Sequence, residues 1–479
     1  MSVSCDREVP YSTESKDAEA AVMLTNDSLG KSSKQESGTQ SRSKKNADHV
    51  LSLKPTSYWE TLTHMLKGNI GCGMLAMGSA FKHGGLVFSS FLVVILGIIA
   101  CYNQYILVTM ANKFKQQYNL SSINFPDTIG IAFETGPSIF KRMSKWIRWS
   151  IELFIILTQL GFCCVYFLFL SQSLNQICSC YNIHIDIHLL MMMIFPIVWG
   201  TALIRELKYI APLSTLANMS IFMALALILY NSIFGLNVAV SERRLMGNWA
   251  DLPLCFGVVV YSLEGISLVL PLQQNMKRKE KFLGSFGVLN LSLTIVVLLI
   301  IVVGFFGYFR YGDAVRESLT LNLEAKDNLL TQAVIVCMTI GILCTYSLQF
   351  FIPILLILPY FNKWMNARFN CGNHINEYLL RTVLVFVTFL TAEIIPHLDL
   401  FVSLVGAIGG TFLALIFTPL ADISKRHNQH KGIFKWRTIM AVISLIIGAF
   451  GFAIGTVMSF KEIFVALMHD FEKSRGPKI

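Results

Sequence analysis

The sequence predicts an all-α polytopic membrane protein with eleven transmembrane helices, and three observations carry that expectation. Of 479 residues, 54% are hydrophobic and 14% charged, against roughly 25% charged in an average soluble domain. Apolar runs of about 20 residues, enough to cross ~30 Å of hydrocarbon as a helix, recur along most of the chain. Lys and Arg gather in alternate gaps between those runs, as they do in loops on the cytosolic side of a membrane.

Residues 1–57 differ from the rest. They are rich in Ser, Lys, Asp and Glu and lack a long apolar run, so a disordered cytoplasmic tail is expected. No basic start followed by a short apolar core is present, so no cleavable leader is expected and the first span should act as the insertion signal. The transmembrane domain is expected over 58–462, leaving 463–479 as a short extracellular or lumenal tail. Its spans fall near 58–80, 86–112, 149–176, 187–204, 210–232, 250–272, 283–307, 331–358, 379–395, 401–422 and 437–461. The first and ninth are weakest by hydropathy. Between spans three and two, "FPDTIGIAFETGPSIF" reads as a short helix on the inner face.

With the amino terminus inside, the inner loops hold twenty Lys and Arg and the outer loops six: Lys82, Arg243, Arg244, Arg310, Arg316 and Lys326. That asymmetry places the amino terminus in the cytosol. With eleven spans the carboxyl terminus lies outside. The net charge of +10 is then a topology signal, and no nucleic-acid partner is implied. Seven of the eleven cysteines fall in predicted spans, where thiols behave as small apolar groups.

Two spans carry residues that a plain spanning helix avoids. "HMLKGNIGCGMLAMG" (64–78) places His64, Lys67, Asn69 and glycines 68, 71 and 73 in the first. Irregular backbone at membrane depth is tolerated only where protein or a water-filled cavity covers it. An unwound helix accounts for these residues, although close helix packing would also use the glycines. In the sixth span, "SLEGISLVLPLQQNMKR" puts Glu264 and Gly265 at mid-helix. Spans one and six are equivalent if spans one to five are repeated, inverted, by six to ten. Interrupted segments in matching positions of two halves point to a transporter's binding site. Half-helix ends there offer N–H groups to a carboxylate and carbonyls to an ammonium or cation. A free amino acid has both charges.

Individual residues leave alternatives. His64 suits a proton-coupled step because imidazole changes charge near neutral pH, yet a neutral structural histidine is also consistent. Lys67 reads as a side chain snorkelling to the inner headgroups. Glu264 is expected to shape the helix break or gate, with direct proton carriage as the alternative. Glu152, four residues after Arg148, is expected to pair with it. Tyr261, Ser262 and Phe256 are expected along the pocket. "HIDIH" (184–188) is weak evidence for a metal, and no metal or cofactor is expected.

The motifs resemble those of the proton-coupled amino acid transporters, within the amino acid/auxin permease group. "HMLKGNIGCGMLA" looks like that family's first-helix signature, and "EGISLVLPL" followed by "MK" like its sixth. "YGDAVRESLTLNL" (311–323) is similar to its outer loop after helix seven. The resemblance covers residues ~55–462, the span that the eleven-helix reading occupies. It implies a LeuT-type five-plus-five inverted repeat and import of small neutral amino acids with protons as the coupling ion. His64 stands at the family's helix-one histidine, implicated in proton coupling. Gly71, Cys72 and Gly73 match its unwound substrate segment, and Glu264 with Gly265 its helix-six break. The chain departs from the family's usual Thr or Ser at Cys72, Pro at Gly78 and Glu at Gln273. The family also pairs a cysteine after helix three with one after helix seven. Here Cys178 and Cys180 occupy the first loop while 308–330 has none.

A proton-coupled symporter of the plasma membrane or an endosomal–lysosomal membrane is therefore expected. The alternative is an amino acid sensor, with growth-signalling partners and little net transport. An enzyme is not expected, since no nucleophile–base, phosphate-loop or metal motif appears.

Overall fold

The computed structural model describes residues 55–204, 207–234, 243–323, 328–369, 372–427 and 435–474. Residues 1–54 of the expected disordered tail and the last residues of the carboxyl-terminal tail lie outside the described residues. Among those described, the fold is helical throughout, with one isolated bridge between Thr56 and Met276.

The first predicted span is three helices in series. These are α1 (Tyr58–Asn69), α2 (Cys72–Leu75) and α3 (Met77–Gly84). Ser57 opens α1 with a full capping box, its side chain accepting from Glu60 N while Glu60 reaches back to the Ser57 N–H. Two otherwise orphaned backbone donors are satisfied this way. Gly85, at φ +81°, turns the chain within one residue into α4 (Leu86–Gln117). A residue with a Cβ adopts that conformation only with strain.

The inner segment forms α5 (Phe125–Glu134), the short helix the sequence suggested, before α6 (Ser138–Cys180). Helices α7 (Ile187–Ala202) and α8 (Leu207–Phe234) complete the first half. The sixth span is broken into α9 (Leu252–Ser262) and α10 (Ile266–Asn275), followed by α11 (Val288–Tyr311), α12 (Leu329–Phe369) and α13 (Asn373–Ile394). The tenth begins as α14 (Leu398–Val405), widens into a π-helix over Gly406–Phe417 and ends as α15 (Thr418–His427). Helix α16 (Lys435–Ser474) closes the chain.

Among the described residues, eight helices are long and apolar enough to cross a membrane, by length and composition. Ile187–Ala202 and Met219–Phe234 are shorter apolar helices. The chain is thus a multi-pass membrane protein. Many helices extend past the predicted span limits, because a helix continues into the headgroup region after its apolar stretch ends. By connectivity, residues 84–86, 181–186, 312–323 and 394–398 share one end of the bundle, called distal below. The other end, proximal, carries α5 and the start of α1.

Helices α9, α6, α14 and the π segment pack as the centre, and α9 touches α2, α3, α4 and α16. At the proximal end Arg381, 2% exposed, donates to Glu377 Oε1 at 3.0 Å and to the Ala202 carbonyl at 2.7 Å. That guanidinium caps the last turn of α7, where orphan carbonyls need donors.

One pairing expectation is corrected. Arg148 does not take Glu152; it reaches Asp127 at 3.0 Å and Glu134 at 2.8 Å, both on α5. A guanidinium fork that can grip two carboxylates on a neighbouring helix outcompetes one carboxylate on its own helix. Glu152 instead accepts from the Tyr360 hydroxyl at 3.2 Å. In the "HIDIH" segment His188 pairs with Glu393, and no group of three metal-ligating side chains occurs among the described residues. Cys178 and Cys180 are free thiols.

Candidate functional site

The two breaks face each other. In the first, Ile70 and Gly71 are extended (φ −90°, ψ 105° and φ −162°, ψ −152°), so the chain leaves helical geometry for two residues. In the second, Leu263 closes α9 by donating to the Val259 and Val260 carbonyls, and Gly265 sits at φ −145°, ψ 5° before α10. Helix ends leave backbone donors and acceptors without intrahelical partners. Asn69 joins the breaks. Its amide nitrogen donates to the Met65 carbonyl at 2.9 Å, while its Oδ1 is buried without a partner among the described residues. A Cβ on Gly265 would stand 2.8 Å from that Oδ1, so glycine is what lets the breaks approach.

A cavity of about 50 Å³ opens between them, room for a few waters or a small ligand. Residues 67–73 of the first break line one side; Tyr261, Ser262 and Glu264 line another. Phe162, Tyr166, Ile221, Ile342, Thr345 and Gln349, from α6, α8 and α12, close the rest. The structure thus brings together seven predicted lining or coupling residues: Asn69, Gly71, Cys72, Gly73, Tyr261, Ser262 and Glu264. Gly265 contributes by packing against Asn69.

The glycines differ in role. Around Gly71 there is nothing within 4 Å of where a Cβ would stand, so its missing side chain leaves open space. At Gly73 a Cβ would meet Ser262 Oγ at 2.5 Å and Tyr261 Cδ1 at 2.7 Å. Gly73 is therefore a close-packing glycine as well as a lining residue. Gly68 faces Leu268, and Gly78 packs on Leu319 and Val315.

Glu264 is fully enclosed, and neither carboxylate oxygen has a hydrogen-bond partner among the described residues. A Cβ on Gly410 would come within 3.2 Å of its Oε2, which puts the carboxylate against the π-helix. Ser262 Oγ is spent on the Val258 carbonyl at 2.9 Å. The Tyr261 ring meets Phe162 edge-on at 4.8 Å. Gln273 donates to Asn112 Oδ1 at 3.2 Å, away from the cavity.

Three placements depart from the sequence reading. His64 is exposed on α1 and does not line the cavity; the lining begins one turn later, at Lys67. An ionisable residue in a span was expected to face the interior, but the buried stripe of α1 runs through Leu62, Met65 and Asn69 and leaves position 64 outside it. Lys67, expected to snorkel, reaches the cavity. Phe256 packs against Gly451 of α16 instead of the pocket. The residues from α6, α8 and α12 went unnoticed because apolar and aromatic side chains on spanning helices look like ordinary packing. The cluster Gly406, Gly409 and Gly410 was the available signal for the widened helix behind Glu264.

A model of the family described as transmembrane amino acid transporter protein matches residues 54–461. The chain belongs to that family. It is an amino acid transporter by membership, and the family is one of transporters and not of enzymes. The transporter is 31% identical over 413 residues to the proton-coupled amino acid transporter-like protein pathetic of Drosophila melanogaster, covering 85% of this chain and 86% of that one. It is 24% identical over 406 residues to the probable amino acid transporter skat-1 of Caenorhabditis elegans, covering 83% and 87%. Among solved structures, the inward-facing conformation of Mhp1 aligns with a TM-score of 0.51 at 14% identity, over 88% of this chain and 92% of that one. That likeness shows the fold, which is LeuT-type with broken helices one and six, as the sequence suggested.

Proposed function

We propose that the transporter is a proton-coupled symporter of small neutral amino acids. One observation carries the reading: Glu264 is buried without a partner beside a small cavity built from two helix breaks. An unpartnered buried carboxylate is costly as an anion. It is compensated when it holds a proton, which leaves the cavity wall uncharged there and ready for a zwitterion of no net charge. Binding of proton and substrate are thereby linked through one side chain. The apolar lining from Phe162, Ile221 and Ile342 favours neutral side chains, and the small volume favours short ones. The pathetic protein, named as proton-coupled and amino acid transporting, supports the same reading. We assign Gly71, Cys72 and Gly73 to the substrate backbone, and His64 to proton relay at the proximal surface of α1.

The test is labelled amino acid uptake at two pH values, with surface abundance controlled. Uptake should rise as the side from which substrate enters is acidified. His64→Ala should lose pH-dependent accumulation more completely than it loses ligand binding, since the cavity is untouched. If that variant still concentrates amino acid in proportion to the gradient, His64 plays no part in coupling and Glu264 acts alone.

The proposed orientation, in the plasma membrane or an endosomal–lysosomal membrane, has the amino terminus and the proximal end cytosolic. A tag at residue 10 should be protected in intact cells or organelles, and one at residue 479 should be on the opposite side. Both tags on the same side would require an even number of crossings.

A further inference from the structure

At the distal end, histidines are paired with carboxylates that the substrate cavity does not use. His83 Nε2, in the last turn of α3, lies 3.7 Å from Asp399 Oδ2, and that oxygen accepts from Ser79 Oγ at 2.7 Å. His397 Nδ1 lies 3.4 Å from Glu317 Oε1. The other Glu317 oxygen accepts from Leu398 N at 2.7 Å and Gln172 Nε2 at 2.5 Å. A third pair at the same end, His188 with Glu393 at 2.8 Å, ties α7 to α13.

The first two pairs share the segment 397–399 at the head of α14. Through it three separate pieces are held together. These are α3, the distal half of the broken first helix; the loop 312–323; and α14, which runs directly into the π-helix behind Glu264. All four side chains are 17–29% exposed, so bulk protons reach them while the pairs stay partly shielded from water.

Among the described residues, most of the surrounding charges are otherwise occupied. Lys82 donates to the Val315 carbonyl at 3.3 Å. The segment 243–251 packs on the His83 backbone; its Arg243 donates to the Phe309 and Arg310 carbonyls, its Arg244 faces Asp313 at 3.6 Å, and its Asp251 accepts from Asn248. Arg310 stacks over Tyr311, and Arg316 is an exposed neighbour of Glu317. From α6 the side chains beside Glu317 and the loop are the neutral Gln172 and Gln176, and from α9 the side chain near the end of α3 is Cys255.

We propose that His83–Asp399 and His397–Glu317 form a proton-binding latch that closes the distal end of the transporter. An imidazole beside a carboxylate holds its proton more tightly than one in water. With the imidazoles protonated each contact is an ion pair and with them neutral it is not, so acid favours the closed latch. The gain is lost as pH rises back through the imidazole range.

The experiment measures the distance between spin labels at Val87→Cys and Ile394→Cys, both exposed, in the full chain with accessible native cysteines replaced by serine. Val87 follows α3 and Ile394 precedes α14, so the distance reports on the latch without any substrate or transport assay. The short-distance population should grow severalfold between pH 7.5 and 5.5. His83→Gln with His397→Gln should abolish that response while keeping both distances. His397→Lys, a fixed cation, should hold more of the short form at pH 7.5. His374→Gln, on an exposed residue at the other end, should leave the response unchanged. A wild type with no change between the two pH values, or a double glutamine variant that still responds, overturns the latch.

Discussion

Replacing Glu264 with glutamine should abolish gradient-driven accumulation while leaving substrate exchange in place. Glutamine keeps the size and hydrogen-bonding reach of a protonated carboxyl but cannot release a proton. The side chain sits in the wall of the cavity with both oxygens unpartnered, so neutralising it removes no ion pair that the described residues make. The cavity should keep its shape, and substrate affinity should change by less than about tenfold, equivalent to ~1.4 kcal/mol. Accumulation against a proton gradient should fall to the equilibrium ratio. Counterflow exchange and gradient-driven uptake, measured in one preparation of proteoliposomes, separate the two effects. Normal concentrating power in Glu264→Gln would move coupling to another residue and remove the linkage argued above.

The second large effect is expected at Gly71. Its Cβ direction opens into free space, so Gly71→Leu directs four carbons toward a cavity of about 50 Å³ that Gly71 lines. Binding should be lost while expression, insertion and thermal stability stay near wild type. Gly71→Ala should weaken binding by an intermediate amount. Gly73 is the instructive contrast. Even alanine there would press on Ser262 and Tyr261, so a loss at Gly73 would mix a blocked site with damaged packing. Equilibrium binding of labelled amino acid, read beside thermal unfolding, checks the pair. Undiminished affinity in Gly71→Leu would show that ligand binds elsewhere.

The broken helices were legible because glycines and a carboxylate have no place in a lipid-facing helix. The break at Glu264–Gly265 was visible for that reason, and the first break for the clustered glycines around Asn69. The facing of His64 was not legible: a histidine in a span announces a polar environment, but the side it takes depends on where the buried stripe of α1 runs. Nor could sequence separate Gly71 from Gly73, two residues apart and identical in chemistry. Their difference is set by α9, about 190 residues downstream, and by how closely it approaches each. The same holds for the cavity's remaining walls. Tyr166 or Ile342 becomes a ligand-facing residue only through the tertiary arrangement of α6 and α12. Charge pairs showed the limit most plainly, since Arg148 had a local partner available and chose two on another helix.

The isolated bridge between Thr56 and Met276 has a mechanical consequence. Thr56 N donates to the Asn275 carbonyl at 3.0 Å and Lys277 N to the Thr56 carbonyl at 3.0 Å, clipping the chain two residues before α1 to the end of α10. Those two half-helices lie on the same side of the breaks, one arriving at the cavity and the other leaving it. Clipped at the far tip and in contact through Asn69 and Gly265 at the other, they form one lever with two arms. Motion that opens the proximal side must swing both arms together about the broken segments, with the glycines as the fulcrum. A label pair spanning the arms should therefore hold a constant distance through the transport cycle, while either arm changes its distance to α11.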